Sequence, residues 1–178
     1  MTKVSFDPGA LALEWWTTAQ RDRGALARLR RCTSVTEALL ESPTVLLWRC
    51  FGAQDKSWAL LRAGVMAAVL AHVRDDAPLP VARVLGEDKG GSPLLSEGRL
   101  RRLLLVPDID SAPDEVLQAH SRLVRFLRGK VNVSDLAASL YWWNDRTRQR
   151  WAFQYYHVDP PRSDAPDLSL FPAGGEAP

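Results

Sequence analysis

Residues 57–73 read SWALLRAGVMAAVLAHV. On a helix, Leu60, Leu61, Val65, Met66, Val69 and Leu70 leave almost no polar side. A helix that is apolar nearly all round is buried on most of its sides. The run falls short of the roughly 20 apolar residues that a membrane span requires. It therefore predicts the central helix of a first lobe, ended by Asp75, Asp76, Pro78 and Pro80.

The rest of the chain reads as helices that cover such a core. Asp7-Pro8 is a helix opening, an oxygen acceptor followed by a residue that needs no N–H. Leu11, Trp15, Trp16 and Ala19 follow at helical spacing. Gly24 interrupts, and residues 25–31 resume with Leu26 and Leu29 inward. Ser34 and Glu37 have the capping-box spacing. Pro43 opens the next helix, and residues 80–85 make a further turn or two. Ser96 and Glu97 open a helix through Leu103 and Leu104. Pro113-Asp114-Glu115 opens one that runs to about Arg128, with acids where the macrodipole favours them. Asn132 to Ser134 caps another, and the last spans about Asp145 to His157. No strand alternates over five residues and no repeat is visible. The expectation is all-α, with about eight or nine helices in two packed lobes or one elongated bundle over residues 1–158. PDIDSAP at 107–113 is a plausible lobe boundary (near 105–113), and the Pro-, Gly- and Asp-rich tail 159–178 is expected to be disordered.

Charge is the second signal. The formal net charge is only +2 over 178 residues. However, the tail holds four acids (Asp159, Asp164, Asp167, Glu176) against Arg162, which leaves +5 on residues 1–158. Of 23 cations four are lysines (Lys3, Lys56, Lys89, Lys130), so 19 are arginines, whose planar fork suits phosphate. They cluster in four segments, 21–31, 99–102, 122–130 and 146–150, each with few acids. Arg122, Arg125 and Arg128 recur at every third position and lie along one side of a helix, with Leu123, Val124, Phe126 and Leu127 free to pack inward. Gathered on one face, the clusters would supply roughly a dozen cations, enough for a strongly salt-dependent phosphate contact.

Chemistry is harder to find. His72, His120 and His157 each lack a second ligand at i+3 or i+4. Cys32 and Cys50 have neither metal-ligand spacing nor a disulfide framework around them. The carboxylates sit at predicted loops and helix starts, where capping accounts for them. GEDKGG at 86–91 carries acids and no following Ser or Thr, unlike a phosphate loop. The reading is no enzyme, no metal, no cofactor and no small-molecule substrate. The start, MTKVSFDPG, lacks the apolar core of a signal peptide, so the expected location is the cytoplasm. Trp15-Trp16 and Trp142-Trp143 could stack bases, but at least one of each pair is expected in the core.

The order of these features resembles the CasB family, the small subunit of the type I-E CRISPR surveillance complex Cascade. The resemblance runs over about residues 8–157. It rests on Trp15-Trp16, Arg21 and Gly24 before Arg28-Leu29-Arg30-Arg31, the apolar helix around Leu61-Arg62-Ala63, Ser96-Glu97-x-Arg99 with Arg101-Arg102, the Val131-Asn132 turn, and Arg150-Trp151-Ala152 with Tyr155-Tyr156. It implies a non-catalytic all-α subunit that pairs with a second copy of itself, against the backbone subunits that hold the crRNA. It also implies a basic face that holds target and displaced DNA strands as the R-loop opens. R-loop formation exchanges one duplex for another of similar stability, so backbone contacts can tip the balance. The candidate nucleic-acid-binding residues are Arg28, Arg30, Arg31, Arg99, Arg101, Arg102, Arg122, Arg125, Arg128, Lys130, Arg146, Arg148 and Arg150.

Two other classes stay open. One is a helical DNA-binding regulator with a helix-turn-helix over Val131 to Trp143, although the cations flank that unit rather than sit on its second helix. The other is an assembly protein whose arginines meet acidic protein surfaces and no nucleic acid.

Overall fold

The computed structural model describes residues 6–52 and 56–159. The fold is all-α. The helices are α1 (Pro8–Ala19), α2 (Arg23–Leu29), α3 (Val35–Leu39), α4 (Ser42–Cys50), α5 (Ser57–Leu70), α6 (Val81–Leu85), α7 (Glu97–Leu104), α8 (Pro113–Phe126), α9 (Val133–Tyr141) and α10 (Asp145–Tyr155). Ten helices among the described residues slightly exceed the expected number. The excess is α6, where Pro80 fixes the approach and Asp135 Oδ2 accepts from the Val81 N–H at 2.8 Å.

Asp7, Ser34 and Asn132 cap the helix starts predicted for them, whereas Ser96 makes no side-chain cap bond at the start of α7. Asp7 accepts from Gly9 and Ala10 N–H at 2.9 and 3.1 Å. Ser34 Oγ accepts from Glu37 N–H at 3.2 Å, while Glu37 reaches back to the Thr33 N–H at 2.7 Å. Asn132 and Asn144 cap α9 and α10 in the same way.

Residues 63–71, most of α5 and its cap, are all buried. α8, α3, α4 and α9 pack around α5. A second contact joins α1 to α9, and α6 packs against α10. One hydrophobic cluster takes Leu26, Leu47 and Met66 from before residues 105–113 and Leu123, Leu140 and Trp151 from after them. Acids at and just after that connector serve the fold. Asp110 holds Arg62 by two hydrogen bonds of 2.7 and 3.0 Å, and Asp114 Oδ1, in the first turn of α8, accepts from Val35 N–H at 2.7 Å.

A two-residue parallel ladder, too short to be legible as alternation, ties helix ends together. β1 (Asp75–Asp76) pairs with β2 (Lys130–Val131) in the register Asp75 to Lys130 and Asp76 to Val131. Gly129 precedes β2 with φ +78°, and a Cβ there would meet His72 O at 2.9 Å. The ladder fixes the end of α8 beside the end of α5. Asp76 Oδ1 also accepts from Val133 N–H at 2.8 Å, so the same loop starts α9. The proposed disordered tail lies outside the described residues apart from Asp159, which pairs with Arg83 at 3.3 Å. No described helix is long and apolar enough to cross a membrane.

The contact between α6 and α10 closes through Gly86, where an added Cβ would fall 1.8 Å from the Tyr155 carbonyl oxygen. Backbone cannot yield as a side-chain tip can. Gly86→Ala should lower stability by about 2–3 kcal/mol in urea denaturation, the range of core overpacking.

Candidate functional site

α8 is amphipathic in a way that exports charge. Val116, Leu117, His120, Leu123 and Val124 are buried at helical spacing against the core. Arg122 and Arg125 remain on the exposed side. Arg128 does not extend their row. The helix closes at Leu127 with Arg128 N–H donating to Arg125 O and Gly129 N–H donating to Val124 O, both at 2.9 Å. This is a Schellman closure, and it puts Arg128 in the left-handed region at φ +57°. A helix that stops turns its next side chain away from the i, i+3 line.

Two neighbouring segments bring further arginines up to α8. On one side, Arg99 and Arg102 of α7 face Arg122 across a groove of about 390 Å³. Its floor is apolar, with Leu95, Leu103, Ala119 and Leu123 each less than a tenth exposed. On the other side, Arg30 and Arg31 face Arg122 and Arg125 across a groove of about 280 Å³ that also holds His72 and Gln118. The two grooves share Arg122, and no carboxylate lines either. The side chains of Arg31, Arg99 and Arg122 make no hydrogen bond or ion pair among the described residues. Arg102 and Arg125 make only backbone bonds one turn back, to Gly98 and Ser121 carbonyls.

Arg30 is placed by the end of α5. Its Nε donates to the carbonyl of Ala71, the C-cap, at 2.6 Å. A helix C-terminus presents unpaired carbonyls and a partial negative charge, which attract a cation.

The other candidate cations go elsewhere. Arg28 is exposed but paired with Glu41 at 2.8 Å. Arg101 lines a different groove with Glu97 and Tyr156. Arg128 and Lys130 line a third groove, of about 540 Å³, which contains Glu87 and Lys89. Arg146 is exposed at the start of α10. Arg148 is half-buried and holds the fold together: it bonds Asp145 at 2.8 Å, the Val106 carbonyl at 2.9 Å and Asp108, with its guanidinium 5.6 Å over the Trp143 ring. Arg150 Nη2 donates to Ser139 Oγ at 2.6 Å, an oxygen that also accepts from Trp151 Nε1 at 2.9 Å. Thus six cations gather around α8, and the α10 cations do not join them.

Sequence reasoning missed three residues here. His72 and Gln118 entered no candidate set, because nothing local distinguishes them. Phe126, expected to pack inward, is 40 % exposed, on the ridge between the first and third grooves. It occupies the last turn of α8, where the core surface already falls away. Of the tryptophan pairs, Trp15 and Trp143 are buried with their indole N–H on the Pro43 and Val106 carbonyls, and Trp142 is exposed. α9 is buried or half-buried at every position, so it offers no recognition helix to a major groove. Among the described residues, no group of three His, Cys, Asp or Glu side chains is arranged to hold a metal ion.

The placements separate structural from solvent-facing arginines. Arg148→Ala removes the bonds of a largely covered guanidinium to Asp108, Asp145 and the Val106 carbonyl and should cost about 1–2 kcal/mol by chemical denaturation. Arg122→Ala should stay within about 0.5 kcal/mol of wild type in the same measurement.

His72 reports the field of the basic groove. Burial first, then the Arg125 and Arg30 charges, push its pKa down from 6.5 to about 4. His120, buried with Nδ1 on the Val116 carbonyl, is likewise pushed down to about 4 by burial. Both are neutral in the folded chain while the unfolded chain takes up protons. Their stabilising contribution is therefore complete above pH 6.5 and is lost as pH falls toward about 4. Stability measured across that window should decline in wild type and decline less in His72→Gln.

The family described as CRISPR-associated protein Cse2 matches the chain over residues 25–156. No curated protein and no solved structure matches it. The matched span includes every residue that lines the two grooves.

Proposed function

The chain belongs to the Cse2 family, the CasB small subunit of type I-E Cascade, and from that premise we propose that its arginine face binds nucleic-acid backbone and stabilises the crRNA-guided R-loop during antiviral defence. The role is non-catalytic and cytoplasmic. Its partners are the crRNA-bearing Cascade subunits, a second copy of the chain, and the target and displaced DNA strands.

One observation carries this reading: two grooves that meet at Arg122 are lined by Arg30, Arg31, Arg99, Arg102, Arg122 and Arg125 and by no acid. A surface that evolves only to stay hydrated mixes its signs. An unbroken run of guanidinium groups across two grooves offers forked donors to successive phosphates. Phosphate contacts fix position and carry no base information, which suits a subunit whose complex delegates sequence reading to the guide. The half-buried ring of Arg148 contacts and the Ser139-bound Arg150 contribute to the scaffold behind this face.

The test is fluorescence anisotropy of the full chain with labelled DNA of arbitrary sequence, across a salt series. Wild type should bind without sequence preference and weaken steeply with salt. Arg99→Ala/Arg122→Ala/Arg125→Ala should lower affinity at least about tenfold and make the salt slope shallower by roughly 0.7–0.9 per lost contact. Binding to a single defined sequence, or no binding at all, would reject the proposal.

A further inference from the structure

Phosphate binding accounts for the arginines but leaves the floor of the α7–α8 groove without a purpose. A duplex keeps its bases stacked inside and shows phosphates outside, so a charged surface is all it needs. Between Arg99, Arg102 and Arg122, however, lies an apolar trough of about 390 Å³, within the size range of small-molecule sites. Leu103 and Leu123 form its floor, and the ring of Phe126 stands 40 % exposed at its edge. An apolar trough rimmed by three cations fits an occupant with a flat apolar body and negative charge on either side of it.

We propose that this groove takes one unstacked base of a single strand, with Phe126 against the base and Arg99, Arg102 and Arg122 on the flanking phosphates. Single-strand sites combine these two elements, a basic track for the backbone and an aromatic platform for the base face. The track continues here, because Arg122 also borders the second groove, where Arg30, Arg31 and Arg125 can take the next phosphates of the same strand. That groove has more polar lining, so it follows the backbone only. Charge complementarity selects the occupant: no acid lines the trough, and a neutral apolar peptide would leave three guanidinium groups unpaired. Phe6, Trp142 and Tyr156 are more exposed than Phe126 but line neither arginine-lined groove, so they are poorer platforms. The inference rests on the basic-face reading above and adds a preference for single strands.

The experiment measures the full chain against three probes at one salt concentration: a single-stranded oligonucleotide, the same backbone made fully abasic, and a duplex. Wild type should bind the base-bearing strand more tightly than the abasic one. Phe126→Ala should lose about 5- to 100-fold on the base-bearing strand, as expected for one stacked base, and change neither other probe. Phe126→Trp should retain tight single-strand binding, which guards against a folding defect. Equal affinity for base-bearing and abasic strands, or equal losses on all three probes in Phe126→Ala, would overturn the base site. If in that case the arginine triple variant still weakens every probe, the basic face stands without it. If no probe binds, or an acidic apolar peptide binds in preference to all three, both readings fall.

Discussion

Beyond its first turns, α5 has no side to give to water. From Ala63 to Ala71 every residue is buried, and the chain must supply other helices to cover it. Burial of apolar area contributes roughly 25 cal/mol per Å², so covering such a helix is the dominant favourable term in the fold. The covering helices can then have only one apolar side each, and their remaining sides face solvent. On α8 that remaining side is Arg122 and Arg125. The basic face is thus the outer half of the layer that buries α5.

The end of α5 organises the rest of that face. Its last carbonyls need donors, and Arg30 supplies one at Ala71. Gly129 allows the α8 terminus to lie against His72, and the two-residue ladder holds it there. Arg30 and Arg125 therefore approach close enough that both disfavour a charge on His72. Like charges are brought together by backbone constraints that none of them could supply. Such a site is complementary to an anion before any anion arrives.

Most acids lie away from this face, and Glu37 and Glu41 reach only its border, in an adjoining groove that Arg31 also lines. Asp108 and Asp145 hold Arg148, Asp110 holds Arg62, Glu41 holds Arg28, and Asp7 and Asp22 cap helices. This partition explains how a chain with 23 cations and 21 acids can still present two arginine-lined grooves that no acid lines. Net charge says little about such a surface, since position and pairing decide the local field.

Much of this was legible in the residues. Helix starts at Asp7-Pro8, Ser34, Pro113 and Asn132 were readable because capping is local chemistry. The buried status of α5 followed from its lack of a polar face, and the all-α class from the absence of alternation. The family was readable from the order of motifs. What could not be read was which arginines share a surface. Arg148 and Arg122 look alike in sequence, and only the neighbours folded beside them, Asp108 at one and Arg99 at the other, tell them apart. Arg128 left the i, i+3 row because a helix terminus is set by where the chain must turn against α5. Phe126 stood out of the core for the same reason. The sequence by itself determined the elements and the supply of cations, because those depend on residues within a few positions of one another. Only the tertiary structure decided which cations meet, because that depends on contacts between segments up to about a hundred residues apart along the chain.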